Sequence, residues 1–201
     1  MINAIYIRMP RCGSTTIDNL CRKNKIKSFG GWNMGFWGRS TPPKFHIPNT
    51  STKLYKCVMN HIGEKTYDES FIFTTVRNPY SRAVSIYKHR SWDSIKTFSD
   101  FCRAIIKNNY PSRWAKWHST ELTEHIFDKG TLKVDFVMKL ENIEEDFNTV
   151  CDKIKIPYQE IPHRNKSKHK HYTKYYNNET RAMIAQKYAR DIDYFGYKFG
   201  E

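Results

Sequence analysis

Residues 5–20 read IYIRMPRCGSTTIDNL. An apolar run ends at Pro10, a short polar turn holds one glycine, and a helical pattern starts at Ser14. Residues 4–9 are rich in Ile and Tyr with little alternation, as a buried parallel strand requires. From Ser14 to Lys25, Ile17, Leu20 and Cys21 share one helical face, and Ser14 or Thr15 suits the helix start. Strand, glycine turn, helix is an arrangement that offers an anion free backbone N–H groups and the positive end of a helix. Gly13 lets the backbone come close, Ser14, Thr15 and Thr16 add hydroxyl donors, and Arg11 adds a fixed positive charge. Cys12 sits inside the turn, where a helix N-terminus acidifies a thiol. The plainer readings are a capped βα turn for the loop and a small filler residue for Cys12.

The rest of the chain repeats the alternation. Residues 53–59 (KLYKCVM) are expected to form a second strand, 71–76 (FIFTTV) a third and 134–140 (VDFVMKL) a fourth. Helices are expected at 64–69, from Pro79 onward, with breaks over 94–128, at 142–154 and at 179–191. Residues 28–52 are dense in Gly, Pro and aromatics and read as a long loop. Residues 155–176 are strongly basic and contain proline. Strands separated by helices imply a single α/β domain over residues 1–201: three α/β/α layers around a central parallel sheet of about four to five strands. Ligands in such sheets bind beyond the C-terminal strand ends. Pro10–Thr15, His61, and Arg77 with its helix all fall there on this reading.

Composition narrows the partners. The chain has 34 Lys and Arg against 20 acids, a net charge of +14 over 201 residues. That excess favours polyanions: nucleic acid, acidic polysaccharide, anionic lipid or a polyanionic cofactor. No window offers the ~18 apolar residues of a membrane span, and no signal pattern precedes the first strand. A cytoplasmic protein is the simplest expectation. The five cysteines are widely spaced without a CxxC pair, so they read as reduced thiols and not as zinc ligands. His163, His169 and His171 have no carboxylate or thiol cluster beside them, and no metal is expected.

The nucleotide-hydrolase loop places a Lys directly before its Ser/Thr; here Gly13 stands in that place. A second anion feature follows the third strand. Arg77 offers a planar fork that suits phosphate, Asn78 is a helix cap, Pro79 suits the first helical position, and Ser85 lies two turns in. Two such features on neighbouring strands suit a ligand with two separated phosphate-like groups.

PRCGSTT (10–16) together with VRNPYSRAVSIY (76–87) resembles the sulfotransferases that use 3′-phosphoadenosine 5′-phosphosulfate (PAPS). The stretch VDFVMKLENIEEDFNTVCDKIKIP, with HRNKSKHKHYTKYY and DIDYFGYKF after it, is similar to the carbohydrate sulfotransferase branch, which includes small microbial and viral members. The resemblance spans nearly the whole chain, and 28–52 is the part without a match. It implies a P-loop-hydrolase-like fold and sulfuryl transfer from PAPS, leaving the product PAP, with no metal. Arg11, Cys12, Gly13, Ser14, Thr15 and Thr16 would cradle the 5′-phosphosulfate, and Arg77 and Ser85 would hold the 3′-phosphate. Arg11 stands where the family commonly has a lysine. It keeps the charge but cannot give up a proton at neutral pH, so its catalytic role would be electrostatic.

The resemblance also implies a basic residue that takes the acceptor's proton. His61 is the expected base, with His46 next and Glu64 a lesser alternative. Arg164, Asn165, Ser167 and Lys168 are candidates for the cofactor or acceptor, and a carbohydrate is the expected acceptor, with the basic surface pointing to an anionic one. No nucleic acid is required. Glu141 and Asp146 read as structural caps. Trp32, Trp37, Trp92, Trp114 and Trp117 could stack on rings, though core packing is their ordinary job. The alternatives are a P-loop-type kinase, a non-catalytic basic module that binds polyanions, and an inactive family member.

Overall fold

The computed structural model describes residues 3–30, 53–161 and 170–201. Contacts divide the chain into two units, Met1–Val76 with Glu124–Arg164 and Arg77–Thr123 with Asn165–Glu201, and each is described by itself.

The first unit carries the sheet. In chain order it has β1 (Ala4–Ile7), α1 (Ser14–Lys23), β2 (Lys27–Phe29), α2 (Leu54–Ile62), α3 (Glu64–Asp68) and β3 (Phe71–Val76). Helix α7 (Leu122–Ile126) leads from the second unit into a short hairpin, β4 (Phe127–Asp128) and β5 (Thr131–Leu132). Then come β6 (Phe136–Lys139) and α8 (Ile143–Ile154). The four strands of the main sheet lie in the order β2-β1-β3-β6, and every neighbouring pair is parallel. The α/β class with a central parallel sheet is therefore as the sequence suggests.

Alternation along β1 assigns its two faces. Ala4 and Tyr6 join Phe73 and Met138 in a core built with Ile17, Leu20 and Cys21 of α1 and Phe147, Val150, Cys151 and Ile154 of α8. Tyr6 and Phe73 stack with ring centres 5.2 Å apart. Ile5 and Ile7 point to the other face and are also fully buried, and α2 lies against β1. Two buried hydroxyl hydrogen bonds stitch β1 to β3: Tyr6 pairs with Thr75 at 3.0 Å, and Thr74 donates to the Ile7 carbonyl at 2.7 Å.

Two expectations need correction. Residues 53–59 are not a strand: Lys53 is the N-cap of α2 and 54–59 lie in that helix, whose buried residues are Leu54, Tyr55, Cys57 and Val58. That i, i+1, i+3, i+4 spacing is a helical face. The missing strand is β2, at the start of what reads as a long loop; it has three residues, of which Phe29 alone is buried. It exists because β1 needs a partner for its second edge.

The second unit is helical: α4 (Pro79–Tyr87), α5 (Phe98–Ile106), α6 (Arg113–His118), α9 (Asn178–Lys187) and α10 (Ala189–Phe195). The expected final helix is thus broken at Tyr188, and its second part runs on to Phe195. Trp92, Phe98, Phe101, Cys102, Ile105, Ile184 and Tyr188 form this unit's core. All five cysteines of the chain are buried and free. Among the described residues, no helix is long and apolar enough to cross a membrane.

Candidate functional site

The turn after β1 has an unusual backbone. Arg11 and Gly13 both take left-handed conformations, φ 65° and 71°, on either side of Cys12. Alternating hand turns successive N–H groups toward one concavity, the geometry of an anion nest. Gly13 is the N-cap of α1, and no side chain caps the helix there. No acidic residue lies in its first turn, so the positive end of the helix keeps its field. Two features favour glycine at position 13: its φ is positive, and a Cβ there would meet Leu140 Cδ1 at 2.5 Å, so the leucine side chain would have to turn away. Leu140 opens the 3₁₀ turn that follows β6, so the loop is seated against the exit of a strand two places along the sheet. Thr15 is exposed, and Arg11, Ser14 and Thr16 are partly so. Cys12 is fully buried, and its Sγ lies 3.4 Å from the Pro10 carbonyl as a donor.

A buried charge cluster underlies this loop, and sequence reading missed it. Arg8, the residue after β1, reaches Asp18 of α1 at 3.2 Å. Arg22 meets the same carboxylate at 3.0 Å, and Ser28 of β2 donates to it. Arg8 N also donates to the Phe29 carbonyl at 2.7 Å. The loop is therefore clasped at its entry and, one turn beyond its exit, on α1. Two guanidinium groups neutralise the one carboxylate behind the helix start.

His61 is exposed on the last turn of α2 and packs edge-on against Phe29, ring centres 5.6 Å apart. The element before it is a helix and not the expected strand. Phe29 ends β2 and pairs in parallel register with Ile7, the end of β1. Glu64, at the first position of α3, is exposed.

In the second unit, Arg77 precedes α4 and is partly buried. Its Nε and Nη2 both donate to Ser81 Oγ, at 3.0 and 2.7 Å. Asn78 caps the helix as expected: its side chain accepts from Tyr80 N at 3.0 Å and donates to the Lys198 carbonyl at 2.9 Å. Pro79 holds the first helical position. Ser85 is partly exposed on the same helix. Arg82, the second arginine of the motif, is wholly buried and donates to the carbonyls of His118 and Thr120 at 2.9 and 2.8 Å. Its work is therefore architectural.

His46, Arg164, Asn165, Ser167, Lys168, His163, His169, Trp32 and Trp37 lie outside the described residues. His171 is exposed and bonds Thr173 at 2.8 Å. Trp92 and Trp117 are in the core, and Trp114 is half-buried. Asp146 acts structurally, accepting from Lys139 N at 2.5 Å; burial pushes its carboxyl above the ordinary aspartate range, and that N–H partly offsets the shift. Glu141 is exposed in the turn after β6. Among the described residues, no group of three or more His, Cys, Asp or Glu is placed to hold a metal ion.

The profile of the sulfotransferase family matches residues 2–198. An uncharacterized protein of Archaeoglobus fulgidus is 30% identical over 101 residues, which are 50% of this chain and 80% of that protein. The crystal structure of a sulfotransferase from Alicyclobacillus acidocaldarius superposes with a TM-score of 0.54 at 15% identity, covering 99% of this chain and 97% of that one. At that identity the likeness speaks to the fold.

Proposed function

Because this chain belongs to the sulfotransferase family, we propose that it transfers a sulfuryl group from PAPS to a hydroxyl of a carbohydrate, with residues 1–201 acting as one catalytic domain. One observation carries the reading. β1 and β3 are adjacent and parallel, and each is followed in the chain by an anion-suited motif that begins a helix. A donor with a 5′-phosphosulfate and a separate 3′-phosphate accounts for both motifs.

Bound PAPS supplies an activated sulfuryl group whose leaving atom is a phosphate oxygen. The backbone N–H groups of residues 12–15 and the hydroxyls of Ser14, Thr15 and Thr16 would hold its 5′ end, while the Thr16 N–H closes the turn on the Gly13 carbonyl at 3.1 Å. Arg11 would stabilise the charge that develops on the leaving oxygen, by electrostatics alone. Arg77 and Ser85 would bind the 3′-phosphate, the group that distinguishes this donor from ATP. His61 would accept the proton of the acceptor hydroxyl as the new S–O bond forms and the bond to phosphate breaks. Its exposure suits that task, since the acceptor arrives from solvent. The net charge of +14 favours an anionic glycan.

The test is calorimetric titration with adenosine 3′,5′-bisphosphate, with AMP and ATP-Mg²⁺ as controls, on the wild type and on Arg77→Ala. Binding that needs the 3′-phosphate and is lost in the variant is the expected result. A preference for ATP-Mg²⁺ would replace this reading with a kinase.

A further inference from the structure

We propose that Ser81 is a positioning residue for 3′-phosphate recognition, acting through Arg77; this rests on the donor assignment above. Nε and Nη2 form the side edge of the guanidinium, and both converge on the one Ser81 oxygen at 3.0 and 2.7 Å. Two donors on one acceptor fix the plane of the fork as well as its place. The backbone beneath is fixed independently. Asn78 is 1% exposed and ties the helix start to Tyr80 N and to the Lys198 carbonyl, while Pro79 sets the next φ.

Arg77 is thus held at its root and near its tip before any ligand arrives. An arginine side chain loses rotamer entropy when a ligand fixes it, and this contact removes much of that loss from the binding step. A phosphate bound to Arg77 would meet a guanidinium whose plane is already set, as a charge-assisted contact requires. Ser81 and Ser85 follow Arg77 at successive intervals of four residues, so they lie on one stripe of α4. Ser85 is the proposed phosphate contact, and Ser81 lies between it and Arg77 as the brace.

The readout is the ratio of affinities for adenosine 3′,5′-bisphosphate and AMP, measured by calorimetry beside the melting temperature. In Ser81→Ala the ratio is expected to fall about tenfold, the scale of a hydrogen bond to a charged group, with AMP affinity unchanged. Ser81→Thr keeps the hydroxyl and is expected to restore the ratio. An unchanged ratio in Ser81→Ala overturns the proposal. Equal losses for both nucleotides also overturn it, because they mark a merely structural serine. A wild type that does not prefer the bisphosphate overturns the donor assignment itself, and this arm separates the two failures.

Discussion

Arg82 and Asp191 are both wholly buried, and their charged groups stand 3.9 Å apart. Neither relies on the other alone. Asp191 accepts from Leu122 N, Thr123 N and Thr123 Oγ1 at 2.8 to 2.9 Å. Arg82 donates to two carbonyls and lies over the Tyr188 ring at 5.5 Å. The pair links α4, α10 and the segment from His118 to Thr123. Removing the carboxylate strands a buried cation and three donors together. Asp191→Ala is expected to cost about 3–5 kcal/mol of folding stability, read as a lower urea midpoint at unchanged slope, and Asp191→Asn to cost less.

Gly13→Ala combines two penalties, a clash with Leu140 and a left-handed φ of 71°. The expected cost is about 1–3 kcal/mol, with bisphosphate affinity falling further than stability, because the N–H groups of the turn lose their aim. Leu140→Ala in the Gly13→Ala background relieves only the clash. Partial recovery of the melting temperature without recovery of binding is the expected outcome, by thermal melting and calorimetry on the two variants.

His61 is exposed at the end of a helix, with its ring against Phe29. His61→Ala is expected to leave the melting temperature and the bisphosphate affinity near wild type. Turnover with PAPS and an acceptor should fall about 10²- to 10⁴-fold if it is the general base. A variant that keeps full turnover would remove His61 from the reaction.

Burial raises the hydroxyls of Tyr6, Tyr67, Tyr176 and Tyr188 well above the ordinary tyrosine range. A raised folded pKa gives stability that is full below the unfolded value, near ~10, and lost as pH rises through the folded value. The unfolded chain releases these protons first. Stability should therefore fall above pH ~10, by about 1.4 kcal/mol per pH unit for each such group. Urea unfolding between pH 8 and 11 checks the slope, and Tyr6→Phe should make it shallower by one group.

The parts of the fold with strong local signals were legible in the sequence. FIFTTV is too apolar and β-branched for anything but a central strand, and Asn78-Pro79 announces its helix by cap and ring. Leu54, Tyr55, Cys57 and Val58 misled, because a short apolar run suits either a strand or a buried helix face. Lys27–Phe29 carries almost no pattern, since only one of its residues is buried; its pairing comes from the open edge of β1. The two phosphate-type motifs were visible because they are local. Their supports were not: the seat of Gly13 on Leu140, the clasp of Arg8 on Asp18 and the brace of Ser81 on Arg77 are made by the folded chain, and no spacing rule encodes the first two.

The buried cysteines have a practical consequence. Burial pushes the thiols of Cys21, Cys57 and Cys151 up, and that of Cys102 to about 12. Thiolate is the reacting form, so these four thiols are nearly silent to alkylating reagents in the native molecule and answer only when it opens, and Cys12 is shielded by being fully buried. Labelling rate against reagent concentration becomes an intrinsic clock for opening. A single cysteine engineered onto the surface can then carry a probe with almost no competing background.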